Sequence, residues 1–88
     1  MKNDEILKIL KLDRLELIEK GYRPEFYRTS FQGKELIILS AVVMRADSVF
    51  RKSYREIEFN NPASADKLFN MIKRFERNMP HRANEVKR

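Results

Sequence analysis

The chain contains no cysteine and no tryptophan, and it has only two glycines, three prolines and one histidine in 88 residues. Without cysteine it forms neither disulfides nor thiolate metal sites. His81 follows Pro80 near the carboxyl end, and a single imidazole without an oriented partner supports neither catalysis nor a zinc site. Two glycines cannot build a phosphate-binding loop of the GxGxxG or GxxxxGK[ST] kind. These absences predict a protein that is not an enzyme and that has no metal and no cofactor.

The sequence also lacks any apolar run of the roughly 18 residues that read as a membrane-spanning helix. Its opening residues, Met1 to Glu5, are mostly polar, and the apolar positions that follow are interrupted by charges, which is untypical of a secretory signal. Together with the missing cysteines, this favours a cytoplasmic location. The length corresponds to one domain. We expect residues 1–80 to form that domain and residues 81–88 to form a basic, flexible tail.

The most informative positive feature is the segment Leu36–Met44, which is apolar at nearly every position and rich in β-branched residues. A half-solvated strand alternates between apolar and polar residues, whereas this segment does not. It therefore predicts a central strand with both faces covered.

The amino-terminal segment predicts helical structure that begins near Asn3. Asp13 falls inside its apolar stripe, which leaves two interpretations open. Either the helix breaks at Asp13, with a capping box starting a second short helix, or one helix runs to about Lys20 and buries two faces, one of them against another subunit or partner. Gly21 suits the end of the helix in both cases.

The remaining pattern predicts a strand before and after the apolar segment, followed by a final helix. Tyr22–Phe31 and Val49–Phe59 read as strands, and Gly33 suits the first hairpin turn. Pro62 suits a helix start, and Pro80 ends the amphipathic helix that follows. The predicted fold class is α+β: an amino-terminal helical segment, a three-stranded antiparallel meander, and a carboxyl-terminal amphipathic helix packed on one face of the sheet. Its predicted core contains Ile6, Leu10, Leu17, Ile38, Val42, Leu68, Ile72 and Phe75.

The net charge of +6 is concentrated near the carboxyl end. Residues 1–66 carry twelve basic and eleven acidic side chains, whereas residues 67–88 carry seven basic side chains and two acidic ones. A local basic block indicates a polyanionic partner such as nucleic acid or a nucleoprotein. An ordinary solvated helix face is the alternative.

The residues proposed to bind this partner lie mainly on the last helix, where side chains three or four positions apart are close enough to follow a phosphate backbone. Phe50 and Tyr54 stand among arginines and lysines at the second hairpin, a composition found in base-stacking surfaces but also on ordinary sheet faces. The candidate binding residues are Lys67, Asn70, Lys73, Arg74, Arg77 and Arg82, with Arg51 and Arg55 as secondary contacts.

Three resemblances bear on function without assigning a family. The predicted order of elements is similar to that of double-stranded-RNA-binding domains, although only Lys67 stands where those domains usually cluster lysines. The order is also similar to that of some small phage inhibitors of CRISPR nucleases, which are often acidic, unlike this chain. The aromatic and arginine residues of Tyr22–Arg28 resemble the sheet of RelE toxins, and that resemblance implies a metal-free ribonuclease.

The sequence thus favours a small non-catalytic protein that binds nucleic acid or a nucleoprotein complex through its last helix. The alternative is a phage or mobile-element inhibitor or adaptor that binds a host nucleic-acid-processing enzyme by protein contact. A RelE-like toxin is the third possibility. The apolar first helix also leaves a protein partner or a homodimer open.

Overall fold

A computed structural model describes residues 2–78, which form two helices and one three-stranded sheet. The elements are α1 (Asn3–Glu19), β1 (Arg23–Phe31), β2 (Lys34–Arg45), β3 (Ser48–Phe59) and α2 (Pro62–Arg77). The strands pair antiparallel in the order β1-β2-β3. The predicted α+β architecture is therefore confirmed. The predicted tail and the helix end at Pro80 lie outside the described residues.

Helix α1 is continuous, and the interpretation with a break at Asp13 is wrong. The Asp13 carboxylate accepts hydrogen bonds from Nε and Nη2 of Arg55 on β3, at 2.6 and 3.3 Å. This pairing lets a charged residue occupy the buried stripe of a helix. The helix ends as predicted at Gly21, which has a φ of +89°. The backbone amide of Tyr22, the next residue, donates to the carbonyl of Leu17 at 2.9 Å.

Both helices pack on one face of the sheet. Ion pairs mark this arrangement at two places, because Arg55 reaches α1 and Arg28 on β1 reaches Asp66 on α2. Burial of apolar side chains between the sheet and the two helices is the main favourable term in the folding of a domain of this size. The core between the layers contains Ile6, Leu10, Leu17, Ile37, Leu39, Ala41, Ala65, Leu68 and Ile72.

The predicted inward residues of β2 are wrong by one position. Ile37, Leu39 and Ala41 face the helices, whereas Ile38 and Val42 point to the opposite face. A continuous apolar run carries no alternation from which the register could be read. Ile38 and Val42 are nevertheless buried, with 6% and 3% exposed, although no helix or strand of residues 2–78 is layered on that face.

One predicted core residue lies outside the core, and the sheet contains an irregularity that was not predicted. Phe75 is predicted in the core, but it is only half-buried and does not belong to the core cluster. Lys11 Nζ lies 5.0 Å and the Arg14 guanidinium 5.6 Å from the centre of its ring. The pairing of β2 with β3 is interrupted by a bulge, since Leu39 pairs with Arg55 and the next residue of β2 pairs with Ser53. Tyr54 is the extra residue, and it packs against the core beneath the helices.

Candidate nucleic-acid interface on helix α2

The start and the apolar stripe of α2 determine which of its residues face solvent. The Asn61 side chain accepts a hydrogen bond from the Ser64 amide at 2.9 Å, and Pro62 occupies the first turn. Ala65, Leu68 and Ile72 are fully buried against the sheet. The helix is thereby held in one rotation about its axis, and its polar positions point outward.

The structure brings the predicted binding residues of α2 together on one exposed face. Four of them follow one another at spacings of three, four and three residues, which places neighbours about 5–6 Å apart along the helix. Lys73 lies beside this row, with its Nζ 5.1 Å from the centre of the Phe69 ring. The row consists of Lys67, Asn70, Arg74 and Arg77. We call these five residues the basic face.

The cations of the basic face are not held in ion pairs within residues 2–78. None of its four cations forms an ion pair in this part of the chain. Helix α2 carries two acids, Asp66 and the half-buried Glu76. Asp66 pairs with Arg28, which also donates to Glu35 at 2.8 Å and to the Pro62 carbonyl at 3.3 Å. The two carboxylates raise the pKa of Arg28. Asp66 is thus held toward β1.

The two secondary contacts predicted on β3 are placed differently from the basic face. Arg55 is paired with Asp13, whose hydrogen bond raises the pKa of Arg55. Arg51 Nε donates to Glu25 at 2.8 Å, with the same effect on its pKa, and lies on the sheet face opposite the helices. Both arginines therefore have a structural role, and their contact with nucleic acid remains a prediction. Arg82 lies outside the described residues.

A cleft of about 450 Å³ opens at the other end of the sheet, where the end of α1 meets the β2–β3 hairpin. Phe50 is 56% exposed at its rim, and Lys20 Nζ lies 5.9 Å from the centre of the Tyr54 ring. The sequence identified the hairpin residues but not Lys20 and Tyr22, which come from the turn after α1. No carboxylate of residues 2–78 lines the cleft. Its aromatic and basic lining is Lys20, Tyr22, Arg45, Phe50, Arg51, Lys52 and Tyr54.

Residues 2–78 contain no cluster of three or more His, Cys, Asp or Glu side chains that could hold a metal ion. Within the same range, no helix is long and apolar enough to cross a membrane. Comparisons with protein-family models, curated proteins and solved structures found no match. The geometry of the chain itself therefore carries the functional argument.

Proposed function

We propose that this is a non-catalytic protein that binds nucleic acid, alone or within a nucleoprotein complex, through the basic face of α2. The observation that carries the proposal is the group of exposed cations on one face of α2 that have no ion-pair partner among residues 2–78: Lys67, Lys73, Arg74 and Arg77. Lysine and arginine side chains in this arrangement neutralise phosphates and release counterions, which is the main source of sequence-independent affinity.

The ion pairing of cations on the sheet supports a binding role for the basic face over the alternative of an ordinary solvated helix face. Solvated surfaces usually mix both signs of charge, and on the sheet of this protein they do. Five of the seven cations on the strands have a carboxylate partner, and only Arg45 and Lys52 have none among residues 2–78. On α2 the exposed cations have none among residues 2–78, so their field reaches solvent and attracts a polyanion.

The basic face supplies contacts to the backbone rather than to base edges. Such contacts fix position and affinity but carry little sequence information. With four phosphates neutralised, the logarithm of the association constant for duplex is expected to fall with a slope of about −3.6 against the logarithm of salt concentration.

The test is a salt titration of binding to a mixed-sequence duplex and to a single strand. We expect the double variant Arg74→Gln, Arg77→Gln to reduce the slope on duplex by about 1.8 and to weaken binding at low salt. The matched control is Lys8→Gln, Lys34→Gln, which removes the same charge from exposed positions on α1 and β2. If the two double variants lose affinity and salt slope equally, net charge alone explains the effect and the basic face has no special role. If the unmodified chain does not bind nucleic acid at low salt, the proposal is refuted.

The cleft beside the hairpin adds a specific expectation about single strands. Phe50 and Tyr22 expose aromatic faces next to Lys20 and Lys52, and unpaired bases stack on such faces. We expect Phe50→Leu to weaken single-strand binding about 5- to 100-fold, in line with a stacking contribution of about 1–3 kcal/mol per base. Duplex binding is expected to change little, because paired bases are not available for stacking.

A second candidate function rests on α1. Leu12 and Leu15 lie one turn apart on its outer side with 61% and 51% exposed, which suits an inhibitor or adaptor that contacts a nucleic-acid-processing enzyme. A pull-down from the native host with and without nuclease treatment distinguishes the two functions. Enzyme capture that survives nuclease and disappears with Leu12→Glu, Leu15→Glu would favour this second function.

A further inference from the structure

The sheet face opposite the helices has the composition of an interface. The register of the strands places alternate residues of each strand on this face, which we call the open face. Several of its apolar side chains are exposed: Met44 at 68%, Phe31 at 62%, Val49 at 46% and Tyr27 at 40%. The central strand contributes Leu36, Ile38, Ser40, Val42 and Met44 to it.

The central strand of the open face is nearly symmetric about Ser40. A β-branched residue stands two positions away on each side, and a long unbranched or γ-branched apolar residue stands four positions away. Ser40 and its two β-branched neighbours are only 1–6% exposed, so Leu36 and Met44 are the accessible members of this pattern. A surface that resembles itself after inversion of the strand direction is suited to a second copy of the same surface, because a two-fold interface is self-complementary.

The charges on the open face are also arranged so that the face is complementary to an inverted copy of itself. Beside Val42 lie Arg23 and Arg51, with Glu25 between them beside Ser40. Beside Ile38 and Leu36 lie Glu56 and Glu58, with Lys34 paired to Glu58 at 3.0 Å. The face is neutral in total, but one end has an excess of positive charge and the other an excess of negative charge. A surface that is neutral in total does not attract a polyanion. An inverted copy of the same surface, however, brings opposite charges together at both ends.

We propose that a second copy of this chain covers the open face, with a two-fold axis running across the strands near Ser40. An axis in this direction reverses the strand direction of the second copy and places β3 of one copy against β3 of the other. The positive end of each face then meets the negative end of its partner. An axis along the strands would instead set Arg23 opposite Arg51 of the second copy, and like-charge contacts disfavour association. The axis across the strands brings Glu25 near Glu25 of the second copy, but each of these carboxylates is paired with Arg51 of its own copy at 2.8 Å.

The symmetric arrangement identifies the contacts that decide the pairing. The exposed Met44 packs near Leu36 of the second copy, whereas Val42 and Ile38 are already covered within each copy, with 3% and 6% exposed. Arg51 comes opposite Glu56 of the second copy, and Arg23 comes opposite Tyr27. Face-to-face sheets pack about 10 Å apart with a small rotation between their strands, so these groups meet as interdigitated neighbours.

The size of the open face sets the expected affinity. Three strands spaced about 4.8 Å apart, with a rise of about 3.3 Å per residue, give a projected area of roughly 500 Å². The relief of the side chains brings the accessible area closer to the about 800 Å² that each partner buries in a standard interface. We therefore expect a reversible dimer with a dissociation constant in roughly the micromolar range.

The test uses two charge-reversal variants whose mixture restores the pairing. Arg51→Glu alone and Glu56→Arg alone each place like charges opposite one another in a homodimer, and each is expected to be monomeric in sedimentation equilibrium without nucleic acid. When the two variants are mixed, opposite charges meet at both symmetric positions. The mixture is expected to dimerise with an affinity within about tenfold of the unmodified chain. Both side chains are exposed on the sheet, and circular dichroism verifies that each variant is folded.

Two controls separate this interface from the other apolar surface. Met44→Lys is expected to weaken the dimer at least tenfold without reversing an existing charge. Leu12→Glu, Leu15→Glu on α1 is expected to leave it unchanged. A chain that stays monomeric at several hundred micromolar, a dimer lost through the α1 variant, or a mixture that stays monomeric would each overturn the proposal. Because these measurements contain no nucleic acid, they leave the proposed function to its own test.

Discussion

The contact between Asp13 and Arg55 allows a charged residue to lie in the buried stripe of α1. The Asp13 side chain is 12% exposed and lies among apolar residues, whereas the Arg55 side chain is 45% exposed and reaches it from β3. Burying a carboxylate without a partner is costly, so the contact with Arg55 stabilises Asp13 in the buried stripe of the continuous helix.

We expect Arg55→Met to lower the free energy of unfolding by about 1–3 kcal/mol, because it leaves the Asp13 carboxylate without its donor. Asp13→Asn, Arg55→Met together are expected to recover part of this loss, since the remaining amide costs less to bury than a charge. Urea denaturation of the four members of the double-mutant cycle measures the coupling. Additive effects of the two substitutions would show that the pair contributes no net coupling energy.

Glu35 on β2 links the stability of the contact between β1 and β2 to pH. Its carboxylate accepts hydrogen bonds from the Ser30 hydroxyl at 2.6 Å and from Arg28 at 2.8 Å, and these contacts lower its pKa in the folded chain. The stabilisation is present above the unfolded value of about 4.3 and is lost as the pH falls through the lower folded pKa.

We therefore expect Glu35→Gln to make the acid side of the stability profile less steep. The measurement is thermal unfolding between about pH 2 and pH 7, compared with Glu58→Gln on the same sheet, whose hydrogen bond from Lys34 is exposed. If the slope of Glu35→Gln matches that of the unmodified chain, the Ser30 and Arg28 contacts do not stabilise the ionised form of Glu35.

The two hairpin turns use positive φ at residues of different types. Gln32 and Gly33 have φ values of +50° and +78° in the first turn, and Ala46 has a φ of +51° in the second. The primed turns that join twisted strands require this conformation, and residues with a Cβ adopt it at a cost.

We expect Ala46→Gly to raise the free energy of unfolding by about 0.5–1 kcal/mol, since removing the Cβ relieves more strain than the added chain entropy costs. Gly33→Ala is the opposite substitution and is expected to lower it by about 1 kcal/mol. No atom lies within 4 Å of the Cβ that would be added at position 33, so the effect is conformational. Denaturant unfolding of both variants measures the two signs.

The elements show how much the sequence predicts. Capping residues, turn glycines and periodicity are local signals, and they predicted the helices and strands and the face of α2 that carries Lys67 to Arg77. The register of β2 could not be predicted, because apolar residues on both faces give no alternation. The cleft also depends on tertiary structure, since Tyr22 and Phe50 come together only after the sheet forms. For the same reason, the carboxylate partners of Arg51 and Arg55 were not apparent.

At the scale of the whole molecule, the two proposed surfaces lie on opposite sides of the fold. The basic face belongs to the helical layer, and the open face belongs to the other side of the sheet. In the proposed dimer the sheets therefore lie inside, about 10 Å apart, and both helical layers lie outside. The two basic faces then point in opposite directions, and a short oligonucleotide bound to one of them cannot reach the other.

This arrangement predicts that the dimer bridges two nucleic-acid molecules, an expectation that rests on both the proposed function and the proposed interface. In a sandwich assay, immobilised duplex should retain a second, fluorescent duplex only when protein is added above the dimer dissociation constant. Glu56→Arg alone, which alters no predicted nucleic-acid contact, should bind one duplex without bridging, and its mixture with Arg51→Glu should restore bridging. Arg74→Gln, Arg77→Gln should dimerise normally but retain less of both duplexes. Bridging by either charge-reversal variant alone would show that the second duplex is held in some other way than through a dimer on the open face.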